Sequence, residues 1–221
     1  MQKYKFTGIT KEVYGRTLNQ IVCVTTFASI KSGEIGGYIE KEANLSQDGN
    51  AWVYGNAWVC GNAKVYGNAK VYGNAKVYGN AWVYGNAKVC EDAEVYGNAK
   101  VCGDAEVCED AEVYGNAEVC GNAWVCGNAK VCGEAILRRG FTEKVTDYIV
   151  IGPQGTRSSF ATFHLHSKTV CTGCFVGNLN EFKKAVYKTH NPDQGRVTFN
   201  NQYQRVIRVF EFLQEQDKDA Q

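Results

Sequence analysis

The chain has 221 residues, 44% hydrophobic and 21% charged, with a formal net charge of +1. That is ordinary for a folded globular protein and argues against disorder, and no stretch approaches the roughly 20 apolar residues of a spanning helix. The small net charge hides an asymmetry: residues 51–136 carry ten acids against six lysines and 137–221 carry twelve basic residues against eight acids, neither being strong enough to announce nucleic acid.

The opening Met1-Gln-Lys-Tyr-Lys-Phe-Thr-Gly lacks the apolar run of a signal peptide, so the expected address is the cytoplasm, with no membrane partner. Residues 1–50 read as β: Tyr4 to Thr7, Val13 to Tyr14 and Gln20 to Phe27, punctuated by Gly15, Gly33, Gly36 and Gly37. Stacked strands end in unpaired backbone groups, and this segment is expected to be an N-terminal β cap over them.

From Asn50 to Ala135 one six-residue phrase repeats, Asn-Ala-Lys-Val-Tyr-Gly and its variants. Alanine falls at 51, 57, 63 and every sixth position to 135, and valine at 53, 59, 65 and so on to 131, giving way to Leu137. Valine between polar or amphipathic neighbours reads as a short strand with one inward side chain, and Gly-Asn supplies a corner, since both adopt φ > 0 cheaply. Where Glu91 and Glu109 replace glycine, Asp92 and Asp110 follow, and the left-handed residue is expected on the Asn/Asp slot.

Three strands and three corners close a triangular rung of 18 residues. Positions 18 apart then stack about 4.8 Å apart. In the slot before valine this makes opposite pairs of Lys76/Glu94, Lys88/Glu106, Lys100/Glu118 and Glu112/Lys130, with only Lys70/Lys88 and Glu94/Glu112 alike. Trp58 over Lys76, Trp82 over Lys100 and Trp52 over Lys70 are expected as cation–π neighbours. Seven of the ten cysteines share the slot after valine with tyrosine, and they read as free thiols in a reducing compartment.

Val53 with Ala57, Val59 with Ala63 and their successors resemble the left-handed parallel β-helix of hexapeptide-repeat proteins, in which an aliphatic residue is followed by a small one four positions on. The handedness is implied by that resemblance alone. The whole layout also resembles uncharacterised hexapeptide-repeat proteins of bacteria and phages, some labelled acyltransferases. The resemblance implies a trimer and, for acyl transfer, a histidine base on a loop leaving the coil. The period is unbroken and all three histidines, His164, His166 and His190, lie beyond it.

The slot after valine is expected to point outward. It gathers Tyr78, Tyr96 and Tyr114 into one ladder, the expected oligomer interface, and Cys90, Cys108 and Cys126 into another. Glu91, Asp92, Glu109 and Asp110 fall at one corner, where a hard cation is conceivable against the alternative of a solvated acidic edge.

Past Arg138-Arg139-Gly140 a second pattern begins. Residues 147–153, 159–166 and 169–175 read as strands, Asn178 to about His190 as an amphipathic helix, and a second helix starts at Asn200 or Asn201, giving a β-β-β-α-α module with a frayed end from Gln214. Three sets of residues there have chemical promise. Cys171-Thr-Gly-Cys174 has metal or redox spacing, with the histidines as further zinc ligands. Gly152-Pro-Gln-Gly155-Thr156-Arg157, aided by Lys168, Lys183 and Lys184, offers N–H groups and charge to an anion. Cys174 and His190 are a nucleophile and base pair on residue type alone.

The expected protein is mainly β: an N-terminal cap over 1–50, a left-handed parallel β-helix over 51–137 with about five rungs, and a small α+β domain over 138–221. It is read as a non-catalytic, oligomeric binding or scaffold protein without a cofactor, with a phage origin among those the resemblance implies. Its expected partners are its own copies and either a host protein or an anionic small molecule such as a signalling nucleotide, held by Gly155, Thr156, Arg157, Lys168, Cys174 and His190. The alternative is an acyl-CoA-dependent acyltransferase.

Overall fold

The computed structural model describes residues 2–142, 147–154, 159–172, 175–190 and 197–219. The chain is mainly β, a parallel solenoid of about six turns followed by a small antiparallel sheet and two helices. Two-residue strands centred on each valine pair in parallel with those 18 residues away: Val53 with Val71, Val71 with Val89, and Val89 with Val107 on the first face. The second face stacks Val59, Val77, Val95, Val113 and Val131, and the third Val65, Val83, Val101 and Val119.

The core is two residue types repeated. Every valine and alanine of the coil is essentially inaccessible, and each buried valine contributes about 2 kcal/mol relative to an exposed one. Small alanines beside the corners let the three faces close on one another.

The corners carry their own ladders. Asn50 donates to Asn68, Asn68 to Asn86 and Asn86 to Asp104; at another corner Asn62 donates to Asn80, Asn80 to Asn98 and Asn98 to Asn116. Stacking 18 apart satisfies each amide with its own copy.

The left-handed residue occupies the glycine slot throughout, and Glu91 and Glu109 adopt it themselves at φ 58. This corrects the expectation that Asp92 and Asp110 take that conformation. Corner geometry belongs to the backbone path, and a non-glycine residue in the slot must follow it.

Tyr4–Val13 and Arg16–Cys23 form an antiparallel hairpin, and Ile35–Ile39 joins it to the second face through Tyr38 against Trp58 and Ile39 against Val59. A Cβ at Gly37 would stand 2.5 Å from the Ala57 carbonyl oxygen, so only glycine permits this approach. Leu45 bridges Val65, so these residues supply a first turn offset by 20 instead of 18. Lys3, buried and with its pKa lowered by desolvation to about 8, donates to the Ala51 carbonyl at 2.9 Å.

This hairpin covers what the repeat alone leaves outside. Trp52 is fully buried, edge-on to Tyr4 and Phe27. Trp58 is 5% exposed and packs with Leu18, Cys60 and Tyr78. Trp52, Trp58 and Trp82 do stand in register with Lys70, Lys76 and Lys100, but of the three the one with a lysine over its ring is Trp82, and that lysine is Lys64 of the preceding rung, 5.6 Å from the centroid.

Cysteines of the slot after valine are mostly buried, including Cys60, Cys90, Cys108, Cys120 and Cys126, which corrects their expected outward exposure. Stacking puts the Cα atoms of Cys102 and Cys120 at 4.5 Å, and the two are joined by a disulfide; the expectation of uniformly free thiols fails there.

The far end does not stop where the sequence period does. Ile136–Thr142 pairs with Glu118–Val125 at an offset of 18 up to Leu137, then of 17 from Arg139 onward, so a single omitted residue at the corner hides one more turn. The tail then forms the antiparallel meander Tyr148–Gln154, Ser159–His164, Thr169–Thr172 and Phe175–Asn178. It has one strand more than expected, because the third expected strand is two, Thr169–Thr172 and Phe175–Asn178.

Helix α1 (Leu179–Thr189) begins where Asn178 accepts from Glu181 N–H and Glu181 returns the bond, a capping box. Helix α2 (Val197–Asp219) starts earlier and ends later than its apolar pattern suggested. Phe163, Phe182, Tyr203, Ile207 and Phe210 make the tail's core. Tyr148 ties it to the coil, its hydroxyl donating to Lys130 O at 2.8 Å and accepting from Cys132 N–H. No helix among the described residues is long and apolar enough to cross a membrane.

Candidate functional site

The second face is the most organised surface of the coil. Tyr78, Tyr96 and Tyr114 stack with ring centroids 4.9 and 5.0 Å apart and planes within 3°. Residues on either side of an inward valine share the outer side of the strand, so each tyrosine stands beside a charged residue. Lys76 donates to one oxygen of Glu94 at 2.7 Å and Tyr78 to the other at 2.9 Å. Glu112 is held in the same way, by Lys130 at 2.8 Å and Tyr96 at 2.8 Å. Burial, reinforced by the neighbouring carboxylates, pushes the Tyr78 and Tyr96 hydroxyls well above their ordinary pKa. These bonds answer the like-charge stacking of Glu94 on Glu112. The other opposite pairs also close, Lys88 to Glu106 at 3.2 Å and Lys100 to Glu118 at 3.0 Å.

At the head of this ladder the hairpin leaves a cleft of about 350 Å³, lined by Tyr14, Arg16, Lys41, Cys60, Gly61, Asn62, Tyr78, Gly79 and Asn80. Val13 pairs with Arg16 across a two-residue turn in which both Tyr14 (φ 51) and Gly15 (φ 71) are left-handed. Asparagine or glycine is the usual first residue of such a turn. Tyrosine here is 77% exposed, yet its ring meets Trp58 edge-on at 6.0 Å. Glu40 fixes the floor: it receives both Arg16 bonds, at 2.8 and 3.0 Å, and the Gly61 N–H at 2.5 Å. Lys41 reaches Asn62 at 3.3 Å. Cys60 lies at the base, its thiol pushed by burial to about 11. No motif in the sequence marked this cleft, because its cations sit in the irregular cap and its amides in the regular coil.

At the acidic corner, Glu91 accepts the Glu109 N–H at 3.0 Å, Glu109 accepts the Gly127 N–H at 2.8 Å, and Asn74 donates to Asp92 at 3.1 Å. Those carboxylates are engaged with the coil's own donors. Asp110 is exposed beside them.

In the tail, Gly155, Thr156, Arg157 and Cys174 lie outside the described residues. Lys168 sits in the turn between two strands at φ 51. Cys171 is buried, and desolvation raises its thiol pKa. His190 ends helix α1, buried and stacked on Tyr203 with centroids 5.0 Å apart.

His164 is also buried. It accepts the Ser167 N–H at Nδ1 (3.2 Å), so its proton is on Nε2, which bonds the Thr142 hydroxyl at 2.6 Å. It joins the tail to the last turn of the coil. His166 differs: 62% of its side chain is exposed, while Nε2 lies 3.1 Å from the buried carboxylate of Asp147.

A family model described as the YdcK beta solenoid repeat matches residues 69–85. The uncharacterised acetyltransferase YdcK of Escherichia coli (strain K12) is 37% identical over 51 residues, 23% of this chain and 15% of that protein. The matched region thus spans a small part of that relative's length. The 18-residue register, the inward Val/Ala pairs and the glycine corners agree with both matches, and the coil has the architecture of a hexapeptide-repeat β-solenoid.

Proposed function

We propose that the chain is a non-catalytic, self-associating binding protein that holds a small anionic, ring-bearing molecule, such as a nucleotide, in the cleft between the hairpin and the second face. The cleft's composition carries this reading. Tyr14 and Tyr78 offer π surfaces, Arg16 and Lys41 positive charge, and Asn62 and Asn80 amides that both donate and accept. Its volume suits a mononucleotide-sized molecule. A left-handed tyrosine costs roughly 1 kcal/mol or more, which a plain turn has no reason to bear.

Tyr78 belongs to both the cleft and the tyrosine ladder. In a trimer assembled through Tyr78, Tyr96 and Tyr114, the cleft opens at the groove between copies. A thermal-shift panel of linear and cyclic nucleotides tests the ligand: stabilisation by at least one of them, lost in Lys41→Ala, is expected. No shift across the panel overturns the small-ligand reading.

Acetyl transfer is the second reading, favoured by the exposed His166 oriented by the buried Asp147 and by the name of the E. coli relative. An imidazole held in that way is a competent general base. Acetyl-CoA itself carries an adenine nucleotide, so calorimetry must separate the readings by residue: dependence on Lys41 supports the cleft, and acetyl-CoA consumption abolished by His166→Ala supports transfer.

A further inference from the structure

On the first face the slot after valine runs Tyr54, Tyr72, Cys90, Cys108, Cys126. All three cysteines are buried, and Cys90 and Cys108, 3% and 5% exposed, are free thiols. Glu106 and Cys108 flank the inward Val107 and so share the outer side of one strand, while Cys90 stands one rung above Cys108. The sulfurs of Cys90 and Cys108 and a carboxylate oxygen of Glu106 all lie within 4.8 Å of one another.

Two features distinguish this trio from a spine of small side chains. The sulfurs are supplied with donors: Trp124 gives its indole N–H to Cys108 Sγ at 3.0 Å, and the Tyr72 hydroxyl bonds Cys90. Outer groups of this kind orient and stabilise thiolates at metal centres. The charges also balance. Two thiolates and a carboxylate around a divalent ion leave one negative charge, and Lys88, 3.2 Å from Glu106, neutralises it.

We propose that Cys90, Cys108 and Glu106 form a site for a thiophilic d10 cation of the Zn2+ or Cd2+ class, with a fourth position left to water. Two sulfur ligands select soft and borderline ions over Mg2+ or Ca2+. As each sulfur–metal bond forms, the thiol releases its proton to solvent, so one ion displaces about two protons. Glu106 and the half-exposed Trp124 form the outer wall through which the ion enters.

The third face is an internal comparison. It stacks Cys102 on Cys120 with Glu118 beside them and Lys100 on Glu118, but there the sulfurs are bonded to each other. The residue stacked on Glu118 in the next turn is Ile136 and not an indole donor. A disulfide between Cys90 and Cys108 is accordingly the competing fate of the first-face pair.

The test uses the whole chain under argon, without reductant, so that Cys102 and Cys120 stay paired. Titration with Cd2+ is expected to raise a thiolate-to-metal charge-transfer band saturating at one ion per chain, with about two protons released. The band should vanish in Cys108→Ala, weaken at least tenfold in affinity in Glu106→Gln and persist in Cys60→Ala, whose thiol lies on the second face. In the native chain, Zn2+ should shield Cys90 and Cys108, but not Cys60, from alkylation as read by peptide mass. No band, a band that survives Cys108→Ala, no shielding, or a Cys90–Cys108 disulfide recovered from freshly isolated protein each overturns the site.

Discussion

The carboxylate of Glu91 accepts the backbone N–H of Glu109, one turn along the same corner, while both residues hold the left-handed conformation that glycine holds elsewhere. Glu109 repeats the bond to Gly127. An unfavourable backbone conformation and a hydrogen bond that glycine cannot make thus coexist at one position.

The two effects separate by substitution. Glu109→Ala keeps the left-handed cost and loses the acceptor, which should destabilise the chain by about 1 kcal/mol. Glu109→Gly loses the same bond but relieves roughly 1 kcal/mol of backbone cost, leaving it close to the parent. Urea unfolding should therefore rank glycine above alanine by about 1 kcal/mol; an alanine variant as stable as the glycine one would show that the corner is not strained.

The coil was legible because its signal is redundant. Val95 and Ala99 recur in phase, and the four lysine–glutamate pairs picked from an 18-residue spacing all close. What escaped was set by single residues. The switch from an offset of 18 to 17 opposite Arg139 conceals a turn, and the offset of 20 at Leu45 conceals another. Local propensity cannot tell a tyrosine from a cysteine in the same slot: Tyr96 remains partly exposed while Cys90 sinks below its larger neighbours. The cleft was invisible because Arg16 and Lys41 come from one segment and Asn62 and Tyr78 from another, joined only by the folding of the hairpin onto the second face.

Glu112 gives the second face a pH dependence. Its bonds from Lys130 and then Tyr96 hold its pKa below the ordinary 4.5. A carboxyl group depressed on folding adds stability above its unfolded pKa, and that contribution is lost as pH falls from about 4.5 through the folded value. Urea midpoints measured between neutral pH and about pH 3 should decline less steeply in Glu112→Gln than in the parent. Parallel declines would mean that the pairing with Lys130 and Tyr96 does not distinguish the folded state.

The core makes a local prediction. Val95 is fully buried mid-coil, stacked between Val77 and Val113. Val95→Ala deletes two methyl groups where neighbouring turns cannot collapse, at a cost of about 2 kcal/mol. Because each turn of a solenoid contacts mainly its neighbours, hydrogen exchange should accelerate at Val77, Val95 and Val113 before it does near Tyr4. Uniform acceleration along the coil would instead indicate a single cooperative unit.

Self-association supplies the sharpest contrast between faces. The second face stacks Tyr78, Tyr96 and Tyr114, and the third stacks Tyr66 on Tyr84 with centroids 5.0 Å apart and planes within 1°. If the longer ladder is the trimer interface, Tyr96→Lys should yield monomers in sedimentation velocity. A lysine there retains a donor for Glu112 and so spares the fold, but it buries an ammonium group in any apolar contact, where desolvation outweighs the lost ring. Tyr84→Lys makes the same change on the other face and should remain trimeric. The reverse pattern would move the interface to the third face, and a monomeric parent chain would remove the ladder's role in assembly, leaving it a stack that covers the coil.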